Sequence, residues 1–76
     1  MITTNDINVV DCETISYIDV YGNTYQFETL DPMTQQELED AKSQFALILN
    51  LINESPRRSI EKHMKLNGFD GTADVY

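Results

Sequence analysis

Polar and apolar residues in the first third of the chain follow the pattern of β-strands. Residues 7–10 form a short apolar run, and residues 14–21 and 24–30 are rich in β-branched and aromatic side chains. Gly22 and Asn23 lie between the last two segments and suit a two-residue hairpin turn, which requires positive φ. The pattern therefore predicts three short antiparallel strands joined as a meander.

The position of a hairpin turn decides which residues share a face of the sheet. With a turn at Gly22 and Asn23, Ile18 is expected opposite Phe27 and Val20 opposite Tyr25, and these four residues form the expected core face. The exposed face then carries four residues that we predict to bind a partner: Tyr17, Asp19, Tyr21 and Glu28. Carboxylates beside aromatic rings can hold an Arg or Lys side chain by ion pairing and cation–π attraction. The alternative interpretation is an ordinary exposed sheet face.

A first helix is predicted after the strands. Thr34 followed by Glu37 is a capping-box pattern, and the apolar residues that follow have helical spacing as far as about Asn53. The second half of this helix is apolar almost all round. Leu47 and Leu51 form a second stripe that the next helix or another chain must cover, so both are candidate contacts between copies in an oligomer.

A second helix is predicted from Ser55 as N-cap and Pro56 at the first helical position to about Asn67, before Gly68. It carries a candidate basic contact surface: Arg57, Arg58, Lys62 and Lys65. The expected partner of this stripe is the acidic half of the same chain or of a neighbouring copy; a phosphate or nucleic acid is the alternative. Residues 69–76 have no period and are predicted to be an irregular tail.

Together these elements predict one α+β domain over residues 1–76. Its expected order is β-β-β-α-α, with a three-stranded antiparallel meander packed on one face by the two helices. A domain of this length has a modest core and little room for a deep pocket.

Charge is divided unevenly along the chain. Residues 1–41 carry nine acids and no Lys, Arg or His, whereas residues 42–76 carry five bases and four acids, for a net charge of −8. A chain of this kind is repelled by nucleic acids and anionic lipids over most of its surface. It is attracted to basic surfaces in a salt-dependent way. The alternative is that the acidic charge serves solubility alone.

The sequence contains no pattern that predicts catalysis or metal binding. Cys12 and His63 are the one thiol and the one imidazole, and the acidic stretch around Cys12 disfavours a reactive thiolate. Residues 70–74 offer too few oxygen ligands for a calcium loop, and there is no Gly-rich phosphate-binding loop. We therefore expect no enzyme activity, no cofactor and no metal.

The lone cysteine is typical of a reducing cytoplasm. No stretch approaches the roughly 18–20 apolar residues of a membrane span, and the first residues lack the basic and apolar regions of a secretory signal. We therefore expect a cytoplasmic protein without a membrane partner.

The leading functional hypothesis is a non-catalytic acidic module that binds a basic protein surface and no nucleic acid directly. Its concrete form is a phage-type inhibitor that occupies the nucleic-acid-binding groove of a host or defence protein. The chain resembles small acidic inhibitors of this type in size and charge. One alternative is a small structural subunit of a homo-oligomer or virion-like assembly. Another is an antitoxin-like regulator that neutralises one cognate protein.

Overall fold

The fold combines one antiparallel sheet with two helices, so the predicted α+β class is confirmed. The computed structural model describes residues 1–52 and 55–76. Its strands and helices, in chain order after a 3-10 turn at Thr4–Asp6, are β1 (Asn8–Asp11), β2 (Thr14–Ile18), β3 (Thr24–Thr29), α1 (Gln35–Leu51), α2 (Pro56–Leu66) and β4 (Gly71–Val75). The fourth strand is an addition to the predicted order.

Strand β4 takes the place of the irregular tail predicted for residues 69–76, so that prediction is wrong. It pairs antiparallel with β3 and completes a sheet of order β1-β2-β3-β4. Ala73 lies opposite Phe27 and is fully buried. A Cβ at Gly71 would collide with the carbonyl oxygen of Glu28. This glycine therefore permits two strands to approach closely, instead of ending the regular structure.

The hairpin of β2 and β3 differs in register from the predicted one. Ile15 lies opposite Phe27, and Ile18 lies opposite Thr24, so residues 19–23 form the connecting loop. The predicted two-residue turn, with Ile18 opposite Phe27, is therefore wrong. The difference is an odd number of positions along β2, and an odd shift exchanges the two faces of a strand.

The cause of the longer loop lies in the side chain of Asp19. Its Oδ1 accepts the backbone N–H groups of Tyr21 and Asn23, each at 2.9 Å. Its backbone carbonyl accepts the N–H of Gly22 at 3.1 Å, and Gly22 adopts a φ of 87°. Asp side chains favour such turns because they offer the backbone a local partner in place of a strand. Val20 and Tyr21 therefore become loop residues.

The new register changes the faces of β2 and leaves those of β3 as predicted. Phe27 is fully buried and Glu28 is exposed, as expected. On β2 the expected core residue Ile18 is 57% exposed, whereas Ile15 is fully buried. Val20, also expected in the core, is in the loop and exposed.

Helix α1 begins as predicted. The hydroxyl Oγ1 of Thr34 accepts the N–H of Glu37 at 3.2 Å, and the Glu37 carboxylate accepts the N–H of Thr34 at 2.9 Å. This reciprocal capping box satisfies two backbone donors that the helix itself cannot satisfy. The helix ends at Leu51; its predicted end at Asn53 lies outside the described residues.

Helix α2 also has the predicted boundaries, with Pro56 at its first position. Ser55 is the N-cap by position, but its side chain makes no capping hydrogen bond. At the other end Gly68 adopts a φ of 91°, and Phe69 donates its N–H to the carbonyl oxygen of Met64 at 2.9 Å. These are the features of a Schellman stop, in which Gly takes the left-handed conformation.

A single apolar cluster joins the helices to one face of the sheet. Its fully buried members include Ile15, Phe27, Phe45, Ile60, Met64 and Ala73. These residues come from three strands and both helices, so the cluster is what holds the two layers together. None of the helices in the described ranges has the length and apolar character required to cross a membrane.

Candidate protein-binding surface

The helices cover one face of the sheet and leave the other face open. The core cluster draws on the odd-numbered positions of β2, β3 and β4, and the alternate positions point away from it. Ile18, Glu28 and Thr72 at these alternate positions are exposed. We call this surface the open face, and its strand residues are Asn8, Asp11, Thr14, Ser16, Ile18, Thr24, Gln26, Glu28, Thr72 and Asp74. Within it Thr14 and Ser16 are buried, and Thr24, Gln26 and Asp74 are half-buried.

The charge of the open face is of one sign. Glu28 lies opposite Thr72, and Asp74 lies opposite Gln26, so the two carboxylates are diagonal neighbours on adjacent strands. None of the four described strands contains Lys, Arg or His. The bases of the described residues lie on the helices: Lys42 on α1 and the remainder on α2. The carboxylates of the open face therefore have no base on their own sheet.

This arrangement has a physical consequence for recognition. Like charges without a neighbouring opposite charge produce a field that extends outwards from the surface. The hydroxyl and amide groups between the two carboxylates offer hydrogen-bond partners without adding charge. A surface of this composition is complementary to a partner that presents Lys and Arg.

The four residues predicted to share one exposed face do not lie together. Glu28 is on the open face, as predicted. Tyr17 is half-buried on the helix-covered face and packs against the core cluster. Asp19 is in the β2–β3 loop, and Tyr21 is exposed near its tip. The prediction that these four residues share one exposed face is therefore wrong, because it depended on the predicted register of β2.

Asp19 organises the loop. In addition to the two backbone N–H groups on Oδ1, its Oδ2 accepts the side-chain amide of Asn23 at 3.0 Å and the hydroxyl of Tyr25 at 3.3 Å. Desolvation acts to raise the pKa of Asp19, but the hydrogen bonds from Asn23, Tyr21 and Tyr25 outweigh it and lower that pKa below its ordinary value. Asp19 is therefore a fixed negative charge within the loop.

Tyr17 and Tyr25 form a second feature, on the helix-covered side. Their ring centroids lie 6.2 Å apart with a tilt of 31° between the ring planes. Burial and the neighbouring Asp19 charge raise the pKa of Tyr25. The rings open onto a cleft of about 190 Å³, whose lining is Ile2, Tyr17, Asp19, Tyr25, Leu49 and Ile52. The loop carboxylate, two aromatic rings and an apolar wall thus meet at one place.

The predicted basic stripe is present on α2. Arg57 makes an ion pair of 3.8 Å with Glu61, one turn further along the helix. Arg58, Lys62 and Lys65 make no ion pair within the described part of the chain. These three bases line a groove of about 450 Å³ beside the start of β4, together with Leu30, Glu61, Asp70 and Gly71. The stripe therefore lies apart from the open face, on the helical layer.

The apolar stripe of α1 is only partly covered by α2. Leu47 is 53% exposed and Leu51 is 68% exposed. Both line a shallow groove of about 100 Å³ between the two helices, in which Ile48 and His63 also take part. The predicted pair therefore does lie at the surface.

Two contributors to these surfaces were not predicted from the sequence. Asp74 was placed in an irregular tail, although the alternation of Thr72 and Asp74 with Ala73 and Val75 is a strand pattern that could have identified it. Tyr25 was expected in the core, and its contact with Asp19 follows only from the longer loop. The open face thus depends on pairing between strands distant in sequence.

The described residues offer little other chemistry. Cys12 is an exposed free thiol, and no group of three His, Cys, Asp or Glu side chains within residues 1–52 and 55–76 is placed to hold a metal ion. No protein-family model, curated protein or solved structure matches this chain. Function must therefore be inferred from the surfaces themselves.

Proposed function

We propose that the protein is a non-catalytic acidic module that binds a basic surface of another protein through its open face. The observation that carries this proposal is the absence of any base from the described strands, combined with the lack of a covering helix over Glu28 and Asp74. Opposite charge on the partner would speed association and fix its orientation, and repulsion of anions would exclude nucleic acid from the same surface.

The concrete form of the proposal is an inhibitor of phage type. A basic groove that binds nucleic acid is the kind of protein surface most complementary to an acidic sheet face, because it presents Lys and Arg to phosphates. The module then competes with nucleic acid for a host or defence protein. The exposed thiol of Cys12 supports a reducing cytoplasm as the place where this occurs.

The test is capture and displacement. The immobilised protein is exposed to a nuclease-treated lysate of the cells in which it acts, and retained proteins are eluted with salt or with a DNA or RNA oligonucleotide. The proposal expects a basic protein that the oligonucleotide displaces. Retention should be lost with the variant Glu28→Lys/Asp74→Lys, which reverses charge on the open face.

The matched control is Glu39→Lys/Asp40→Lys, which reverses two exposed acids on α1. Both double variants raise the formal net charge from −8 by the same four units. A partner that the oligonucleotide does not displace, or one that the two variants lose equally, would contradict the proposal. Equal loss would mean that net charge alone governs binding.

One observation favours a second function, that of a small subunit in a homo-oligomer or virion-like assembly. Leu47 and Leu51 are exposed side by side on α1, and exposed apolar patches on small domains mark contacts with other molecules. This alternative expects an assembly larger than a monomer in size-exclusion chromatography with light scattering, which Leu47→Glu/Leu51→Glu reduces while the fold is retained. A wild-type monomer at high concentration would contradict it.

A further inference from the structure

The cleft beside the β2–β3 loop has walls from three separate parts of the chain. Leu49 comes from the last turn of α1 and Ile52 directly follows that helix. Tyr17 and Tyr25 come from the hairpin, and Ile2 comes from the start of the chain. The start of the chain is tied to α1 by two hydrogen bonds. The Ile2 N–H donates to Asn50 Oδ1 at 2.9 Å, and Asn50 Nδ2 donates to the Ile2 carbonyl oxygen at 2.8 Å. The apolar wall is therefore held in place.

The chemistry of the cleft is that of a cation site with an apolar approach. An aromatic ring attracts a cation within about 6 Å of its face, and two tyrosine rings line a space of only about 190 Å³. Asp19 adds a full negative charge, and the cleft lining contains no base. The aliphatic wall suits the hydrocarbon stem of a long charged side chain, which gains by leaving water.

Size decides between a side chain and a free small molecule. Ligand pockets for drug-sized molecules are typically about 300–1,000 Å³, so this cleft falls below that range. It is large enough for the end of one side chain entering from a partner. Guanidinium is planar, more weakly hydrated than ammonium and stacks on aromatic rings, which favours Arg over Lys.

We infer that this cleft binds the side chain of an arginine presented by the partner protein. The inference rests on the proposed function, since it names one residue of the basic partner, but it concerns a different part of the surface from the open face. The guanidinium lies against the rings of Tyr17 and Tyr25 and beside Asp19. It replaces the Tyr25 hydroxyl contact on Asp19, which is the longest of the four that this carboxylate accepts.

The probe is the peptide acetyl-Gly-Arg-Gly-amide, titrated into the protein and followed by amide and side-chain NMR shifts. The same peptide with citrulline, which has the shape of arginine without its charge, is the chemical control. We expect saturable chemical-shift changes at Tyr17, Tyr25 and Leu49 with the arginine peptide. A peptide with lysine in place of arginine should cause weaker changes, and the citrulline peptide should cause none. Shifts confined to Glu28 and Asp74, or no shifts, would overturn the arginine site.

Variants provide a second test with matched controls. Tyr17→Leu should weaken binding of the arginine peptide by roughly three- to tenfold, as expected for loss of one cation–π contact. Tyr21→Leu, at the exposed loop tip, should leave this binding unchanged. Asp19→Asn should also weaken it, and Glu28→Gln, which removes the same charge from the open face, should not. Equal effects within either pair would overturn the site.

The two proposals fail in distinguishable ways. If the peptide does not bind but the partner still requires Glu28 and Asp74, the cleft inference fails and the proposed function stands. If the peptide binds and the partner also binds Glu28→Lys/Asp74→Lys as well as the wild type, the proposed function fails while the cleft site stands.

Discussion

The two faces of the sheet have the same backbone and opposite chemistry. The helix-covered face buries Ile15, Phe27 and Ala73 completely, and the open face carries the exposed Glu28 and the half-buried Asp74. Burial of apolar side chains on the first face supplies the stability of a small domain. The open face buries only the small side chains of Thr14 and Ser16, so its charges are free to serve recognition. Substitutions should therefore change stability on one face and binding on the other.

The largest effect is expected from Phe27, at the centre of the helix-covered face. Phe27→Ala leaves a cavity in a fully buried site and should reduce the free energy of unfolding by about 3–5 kcal/mol. That is a large part of the total for a domain with roughly 5–15 kcal/mol. Urea unfolding followed by circular dichroism measures this change in free energy. An unfolding midpoint close to that of the wild type would contradict the assignment of Phe27 to the buried face.

The isoleucines of β2 give a matched pair across the two faces. Ile15→Ala should cost about 2–5 kcal/mol because Ile15 is fully buried. Ile18→Ala should lie within about 0.5 kcal/mol of the wild type, since Ile18 is largely exposed. The same unfolding measurement applies to both. A larger loss of stability for Ile18→Ala than for Ile15→Ala would instead support the two-residue turn, with Ile18 in the core.

A smaller effect should appear in the pH dependence of stability. The pKa of Asp19 is lowered in the folded state by its hydrogen bonds, which outweigh desolvation, so its stabilising contribution is present above its unfolded pKa of about 3.9. That contribution is lost as the pH falls through the folded-state value. The wild type should therefore lose more thermal stability than Asp19→Asn between about pH 5 and pH 2. Parallel melting curves over this range would contradict the hydrogen-bonded loop.

The sequence pattern was sufficient where the determinants are local. The capping box of Thr34 and Glu37, the helical spacing up to Ile48 and the glycine stop at Gly68 all follow from interactions between residues a few positions apart. The faces of β3 also followed from the alternation around Phe27. These features involve no competition between distant parts of the chain.

The pattern failed where two local solutions compete. Gly22 suits both a two-residue turn and the longer loop, and the side-chain hydrogen bonds of Asp19 decide between them. Strand β4 forms only because β3 offers a free edge, which a short segment that begins with a glycine does not reveal. Both misses concern the candidate site, since the first moved Tyr17 away from Glu28 and the second added Asp74 to the open face.

The most direct test of the account is the association rate constant with the captured basic partner, measured at several salt concentrations. Long-range attraction to the open face predicts a steep fall in rate as salt increases, because charges are screened beyond about 10 Å at 0.1 M. Glu28→Lys/Asp74→Lys should slow association and flatten this dependence. Arg58→Glu/Lys62→Glu, on α2, should leave it steep. If the α2 variant abolishes association and the open-face variant does not, the basic stripe is the working surface and the account is contradicted.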